Sequence, residues 1–148
     1  MLEDEIQQAR FDDEFLKVIV NILVTADRIS GSTNGVLKPF GLSKEQFNVM
    51  RILRGQYPKP STLQLISERM ISQSSNATRL VEKLRAKGLV VRNQCESNRR
   101  KVDITITEKG LKLLEKLDPQ VKAAGEKMRR ITDDEAQVLN EILDKMRG

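Results

Sequence analysis

The chain has 148 residues, 39% apolar and 32% charged, with 8 glycines and 4 prolines: the length of one domain and the composition of a folded, helix-rich protein. A single cysteine and no histidine exclude an intrachain disulfide and zinc sites built on His or several Cys. The net charge of +5 is unevenly spread: residues 1–60 hold 8 Lys+Arg against 8 Asp+Glu, residues 61–110 hold 10 against 5, and residues 111–148 hold 8 against 8. The whole excess lies in the middle segment, as expected for a polyanion-binding surface between neutral flanks.

The opening MLEDEIQQAR is acidic and lacks the basic start and apolar core of a signal peptide. No apolar run reaches the roughly 18 residues that mark a membrane span, so a cytoplasmic protein without a membrane partner is expected. From Glu3 to Ile29 the spacing of Phe11, Phe15, Val18, Ile22 and Ile29 predicts one long helix. Its middle, Leu16 to Val24, is apolar on nearly every side. Such a helix needs cover on more than one face, which predicts packing on its own domain and on a second subunit.

Ser43 followed by Gln46, and Ser61 followed by Gln64, predict capped helix starts. The first helix carries Phe47, Met50, Ile52 and Leu53 and ends at Tyr57-Pro58-Lys59-Pro60. The second runs from Thr62 to about Met70. A third is predicted from about Gln73, with Ala77, Leu80, Val81 and Leu84 on one face and Gly88 as a left-handed stop. The runs Leu89 to Asn93 and Val102 to Ile106 then predict an antiparallel hairpin, with Val102, Ile104 and Ile106 turned to the core. Thr107 caps a helix apolar at Leu111, Leu114 and Leu117, which Pro119 is expected to kink or break. The box Thr132 to Glu135 opens a last helix apolar at Leu139, Ile142, Leu143 and Met146.

Three helices followed by a hairpin in the basic segment describe a winged helix-turn-helix. The third of these helices leaves Ser74, Ser75, Asn76, Thr78, Arg79 and Lys83 outside its apolar stripe, where short polar groups and cations meet base edges and phosphates in a major groove. Asn98, Arg99, Arg100 and Lys101 are expected at the tip of the hairpin, placed for phosphate or an adjacent minor groove. The bland alternatives are a serine-rich helix cap and a solvated turn. With no histidine, metal cluster or nucleotide-binding glycine loop, neither an enzyme nor a cofactor is expected.

Asn98-Arg99-Arg100, followed by a strand and Ile106-Thr107-Glu108-Lys109-Gly110, resembles the wing signature of the multiple-antibiotic-resistance regulator (MarR) family, an Asp-x-Arg, a strand and Leu-Thr-x-x-Gly. Thr78-Arg79-Leu80-Val81 through Leu84 to Gly88-Leu89-Val90, and the C-terminal ITDDEAQVLNEILDKMR, are similar as well. The resemblance covers nearly the whole chain. Asn98 departs from it: the family acid is implied to orient the wing arginine, and a neutral amide braces it less firmly.

The resemblance implies a mainly α fold with a small β-hairpin wing. A winged-helix DNA-binding lobe over residues 43–110 is joined to dimerisation helices at 1–33 and 111–148. It further implies a homodimeric, sequence-specific transcription regulator, a repressor on a palindromic double-stranded DNA operator, relieved by a small aromatic or phenolic effector. The effector pocket is implied where the first helix, the Phe47 helix and the Leu111 helix meet. Activation in place of repression stays open, as do two alternatives: a redox-responsive regulator through Cys95, and a winged-helix protein-interaction module that does not bind DNA. Some relatives sense peroxide through a cysteine in the first helix, and this chain has none there.

Overall fold

In a computed structural model, the structure describes residues 1–7, 10–95 and 98–148, with the side chains of residues 95–101 outside the described set. The expected long first helix is two helices. The short α1 (Leu2–Ile6) ends at Gln7, whose φ of 53° is left-handed. The longer α2 (Glu14–Leu37) starts where the Asp13 carboxylate accepts from Phe15 N–H at 2.8 Å. An aspartate beside a helix start competes for backbone donors and caps better than it continues a helix, so Asp13 divides the two. Glu3–Lys17 (2.5 Å) and Glu5–Arg28 (2.8 Å) ion pairs fold α1 back along α2.

The α2 helix also runs eight residues beyond Ile29, through Gly31 and Gly35. Its last residue, Leu37, is completely buried. Burial there outweighs the roughly 1 kcal/mol that each helical glycine costs. A 3-10 turn, Lys38–Phe40, and Gly41 at φ 64° reverse the chain. Next, α3 (Lys44–Gln56) opens with the expected box, Ser43 Oγ accepting from Gln46 N–H and Gln46 Oε1 accepting from Ser43 N–H, both at 3.1 Å.

The cap of α4 (Leu63–Arg69) is Thr62 rather than Ser61. Ser61 is withheld because its backbone pairs with Ile104 in both directions, at 2.8 and 2.9 Å, adding a short third strand edge to the hairpin. The predicted start at Gln73 is also corrected: α5 (Ala77–Ala86) begins four residues later, because the Asn76 side chain accepts from Arg79 N–H at 3.0 Å and so caps the helix. Gly88 ends it as expected, at φ 69°. Leu89 N–H donates to Leu84 C=O and Gly88 N–H to Arg85 C=O, the paired bonds of a Schellman stop.

The hairpin is β1 (Val90–Cys95) and β2 (Asn98–Ile106), antiparallel with Val90 opposite Ile106 and Gln94 opposite Val102. Ile104 and Ile106 are buried and Val102 is half-buried, the expected side. Thr107 caps α6 (Glu108–Glu126), accepting from Gly110 N–H at 3.1 Å. Pro119 does not break α6. Its missing N–H removes one helical hydrogen bond, yet Leu114 and Leu117 on one side and Val121 on the other pack on the core and carry the helix through. The Thr132–Glu135 box opens α7 (Asp133–Arg147) as expected.

One apolar cluster joins Leu37, α3 (Phe47, Val49, Met50, Leu53), Ile66, α5 (Val81, Leu84), the hairpin (Val90, Ile104, Ile106) and α6 (Leu114, Leu117). Each fully buried aliphatic side chain there is worth about 1.5–3 kcal/mol, so the core holds α5 and the hairpin as one unit. No residue of α7 is buried. Among the described residues no helix is long and apolar enough to cross a membrane.

Candidate nucleic-acid interface

The α5 helix has two faces because its apolar residues recur at helical spacing. Ala77, Val81 and Leu84 seat it in the core, which turns Thr78, Arg79 and Lys83 outward, all three exposed. Neither Arg79 nor Lys83 has an ion-pair partner among the described residues. Just before them lie Ser74, exposed, and Ser75, half-buried, with the Ser72 and Ser74 hydroxyls 3.3 Å apart. Asn76 is exposed; its carbonyl oxygen is occupied by the cap, while its NH2 makes no hydrogen bond among the described residues. Ser74 to Arg79 therefore lie together at the N-terminal end of α5, where the helix dipole adds partial positive charge, and Lys83 lies one turn beyond Arg79 on the same exposed face, in the last turn of the helix.

The predicted wing residues are Asn98, Arg99, Arg100 and Lys101. Their backbone opens β2, and Cys95 pairs with Asn98. The register shifts there: nothing separates Gln94 from Cys95, whereas Arg99, Arg100 and Lys101 separate Asn98 from Val102 on the other strand. The three cations are thus the inserted residues of an irregular ladder, the kind of bulge that re-aims side chains. Their side chains, and that of Cys95, lie outside the described residues.

Sequence reasoning missed one arrangement at this surface. Glu82 on α5 accepts from Arg92 Nη1 on β1 at 2.9 Å and from Arg85 Nε at 3.1 Å. The pair Glu82–Arg85 has a legible i, i+3 spacing, but only the hairpin's docking brings Arg92 to it. The carboxylate ties the recognition-type helix to the wing and pairs with two local cations, offsetting one of their two charges, which leaves Arg79 and Lys83 as the α5 cations without an ion pair among the described residues.

Hydrogen bonds from Arg92 and then Arg85 hold the Glu82 carboxyl below its ordinary value of 4.5. A carboxyl depressed on folding contributes stability that is complete above its unfolded value and lost as pH falls through the folded value. Glu82→Gln is therefore expected to flatten the acid limb of the stability profile, with little change in slope at neutral pH. Urea denaturation of both proteins from neutral pH to about pH 3 checks this. Identical acid limbs would show that the carboxylate braces nothing.

A cavity of about 420 Å³ lies between α2, α3, α6 and the turn after α4. The three helices named from the sequence contribute Ala26, Ile29, Ser30 and Thr33 from α2, Lys44, Glu45, Phe47, Asn48 and Arg51 from α3, and Val121 from α6. The turn Met70-Ile71-Ser72 was not anticipated. Lys44 Nζ donates to Ser30 Oγ at 2.9 Å, and the Arg51 guanidinium lies 5.8 Å from the centre of the Phe47 ring. Apolar walls with two cations, one carboxylate (Glu45) and several neutral polar groups suit a small ring-bearing molecule with a polar substituent.

Comparison with known proteins agrees with this architecture. The MarR family model matches residues 42–102, from the residue before the α3 cap to the middle of β2. The HTH-type transcriptional regulator MhqR of Bacillus subtilis (strain 168) is 27% identical over 90% of this chain and 92% of its own length. The crystal structure of a MarR transcription factor from Planctomyces limnophilus superposes with a TM-score of 0.70 at 30% identity, covering 93% of this chain and 98% of that one. An organohalide-sensing transcriptional regulator in its 2,4-dichlorophenol-bound form shares the fold, with a TM-score of 0.83 at 21% identity over 95% of this chain and 85% of the other. With a winged helix-turn-helix core, an exposed polar and cationic α5 face and a relative matched over nearly its full length, the chain belongs to the MarR family of DNA-binding transcription regulators.

Proposed function

We propose that this regulator is a cytoplasmic homodimeric repressor that binds a palindromic operator and releases it when a small aromatic or phenolic effector enters the cavity. In this reading residues 43–110 form the DNA-binding lobe, and residues 1–33 and 111–148 supply the dimerisation helices. Ser74, Ser75, Asn76, Thr78, Arg79 and Lys83 meet the major groove. Asn98, Arg99, Arg100 and Lys101 meet phosphate or the minor groove. The observation that carries DNA contact is the exposed α5 face, where Arg79 and Lys83 stand without ion-pair partners among the described residues on a helix locked in place by Val81 and Leu84.

The dimer is supported by apolar surface. Phe15, Leu16, Val18, Ile19, Leu23 and Ile29 on α2, and Val138, Leu139, Ile142 and Met146 on α7, are all exposed in the single chain. Contiguous apolar area of this kind marks an interface. The effector is supported by the cavity, which touches the turn leading into α5. The organohalide-sensing regulator of the same fold, in its 2,4-dichlorophenol-bound form, supports a ligand of this class.

Selection of bound duplexes from a random pool tests the reading. A palindrome is expected, with half-sites about one helical turn, near 34–36 Å, apart. On that duplex Arg79→Ala is expected to cost about 1–3 kcal/mol and to relax preference inside the half-site. It is a cleaner probe than Asn76→Ala, which also removes a helix cap worth about 1 kcal/mol. Arg100→Ala is expected to relax preference at the flanks. Lys101→Ala should weaken all sequences alike and lower the salt slope by about one unit. Binding that is indifferent to salt and unchanged in all three variants would instead favour a protein-interaction module.

A further inference from the structure

One hydrogen bond joins the cavity wall to the turn that leads into α5. Asn48 lines the cavity from α3, and its Oδ1 accepts from the backbone N–H of Ile71 at 3.0 Å. Ile71 stands in the turn between α4 and α5, five positions before the Asn76 cap. Met70 at one end of this turn is 3% exposed and Ala77 at the other is 6% exposed, so both ends are seated in the core. Between them no residue is buried, and Ile71 is 89% exposed. The other bonds of the turn are short-range: Gln73 Nε2 to Met70 C=O, Ser75 N–H to Ser72 C=O, and the Ser72–Ser74 hydroxyl pair. Among the described residues, the Asn48 bond is the one long-range hydrogen bond that Ile71 to Ser75 make.

We propose that Asn48 is a positioning residue that latches this turn, and that the effector acts by taking its Oδ1 from Ile71; the second half rests on the effector reading above. Asn48 is a firm post because its neighbours Phe47, Val49 and Met50 are all buried. The latch opens at low cost because Ile71 is at the surface, where water satisfies the freed N–H. The occupant's chemistry follows from the same atom. It must carry a hydroxyl or amide donor on an apolar ring, placing the donor on Oδ1 and the ring against Phe47 and Met70. Once released, Ser74 to Asn76 sample more conformations, and the DNA complex must order them again.

Three proteins decide it on the duplex recovered from the random pool: wild type, Asn48→Leu, which keeps the volume and removes the acceptor, and Asn48→Asp, which keeps an acceptor. Asn48→Leu is expected to bind about three- to tenfold more weakly, the range of one net hydrogen bond, and to lose hydrogen-exchange protection at the Ile71 amide. Asn48→Asp should retain that protection. With 2,4-dichlorophenol as probe, wild type should lose Ile71 protection and duplex affinity together, while Asn48→Leu should show no further loss. The proposal is overturned if Asn48→Leu binds as wild type does with Ile71 exchange unchanged, or if the probe weakens both proteins equally. A wild-type protein that binds no duplex fails the DNA reading. One that binds but ignores the probe overturns effector release through Asn48, while the weaker binding of Asn48→Leu would still identify the latch.

Discussion

Ile142→Asp is expected to convert a two-chain species at micromolar concentration into a single chain and to lower affinity for a palindromic duplex by about a hundredfold or more. Ile142 lies on α7 beside Val138, Leu139 and Met146, at one-turn spacings, and each of the four is at least 40% exposed in the isolated chain. No α7 residue is buried against the rest of the molecule. A helix of this length without packing is marginal in water, so its stability must come from another surface, and the exposed apolar α2 face offers one of matching character. In the proposed two-fold dimer any substitution in the interface occurs twice, and two uncompensated carboxylates there cost several kcal/mol. The affinity loss follows because one tethered lobe presents the second at high effective concentration. Sedimentation and duplex titration check both parts. Glu141→Ala, on the same helix, should remain a dimer. An Ile142→Asp protein that stays a tight dimer would place the interface elsewhere.

Gly110→Ala is expected to destabilise the fold by about 1–3 kcal/mol, against the usual direction for a glycine in a helix. A Cβ at Gly110 would stand 2.5 Å from Leu89 O and 2.7 Å from Ile106 Cγ1. The first is a backbone atom that already accepts from Thr107 N–H at 3.0 Å, so it cannot move without loosening the joint between hairpin and α6. Thr107 Oγ1 completes the joint by donating to Gly88 C=O at 2.8 Å. Gly125, in the same helix, has open space where its Cβ would go. Gly125→Ala should therefore stabilise by about 0.4–1 kcal/mol. Urea denaturation of both variants separates close packing from helix propensity. Equal shifts in the two would show that Gly110 is not sterically required.

The sequence alone determined what depends on local chemistry. The boxes at Ser43–Gln46 and Thr132–Glu135, the Thr107 cap and the Gly88 stop each concern groups within a few residues, and each forms as expected. The helical spacing of Ala77, Val81 and Leu84 likewise oriented α5, placing Arg79 and Lys83 outside. Tertiary structure decided what depends on partners distant in sequence. Ser61 loses its cap to Thr62 because Ile104 claims its backbone, and α2 continues through two glycines because Leu37 reaches the core. Pro119 is carried within α6 by the burial of Leu114 and Leu117. The same division holds at the site. Exposed polar residues on α5 were legible from periodicity, whereas the Glu82–Arg92 pair and the Asn48–Ile71 bond join residues 10 and 23 positions apart. Caps and stripes are settled within one or two helical turns, but a contact between elements exists only after the core has fixed their relative placement, and no local pattern encodes that distance.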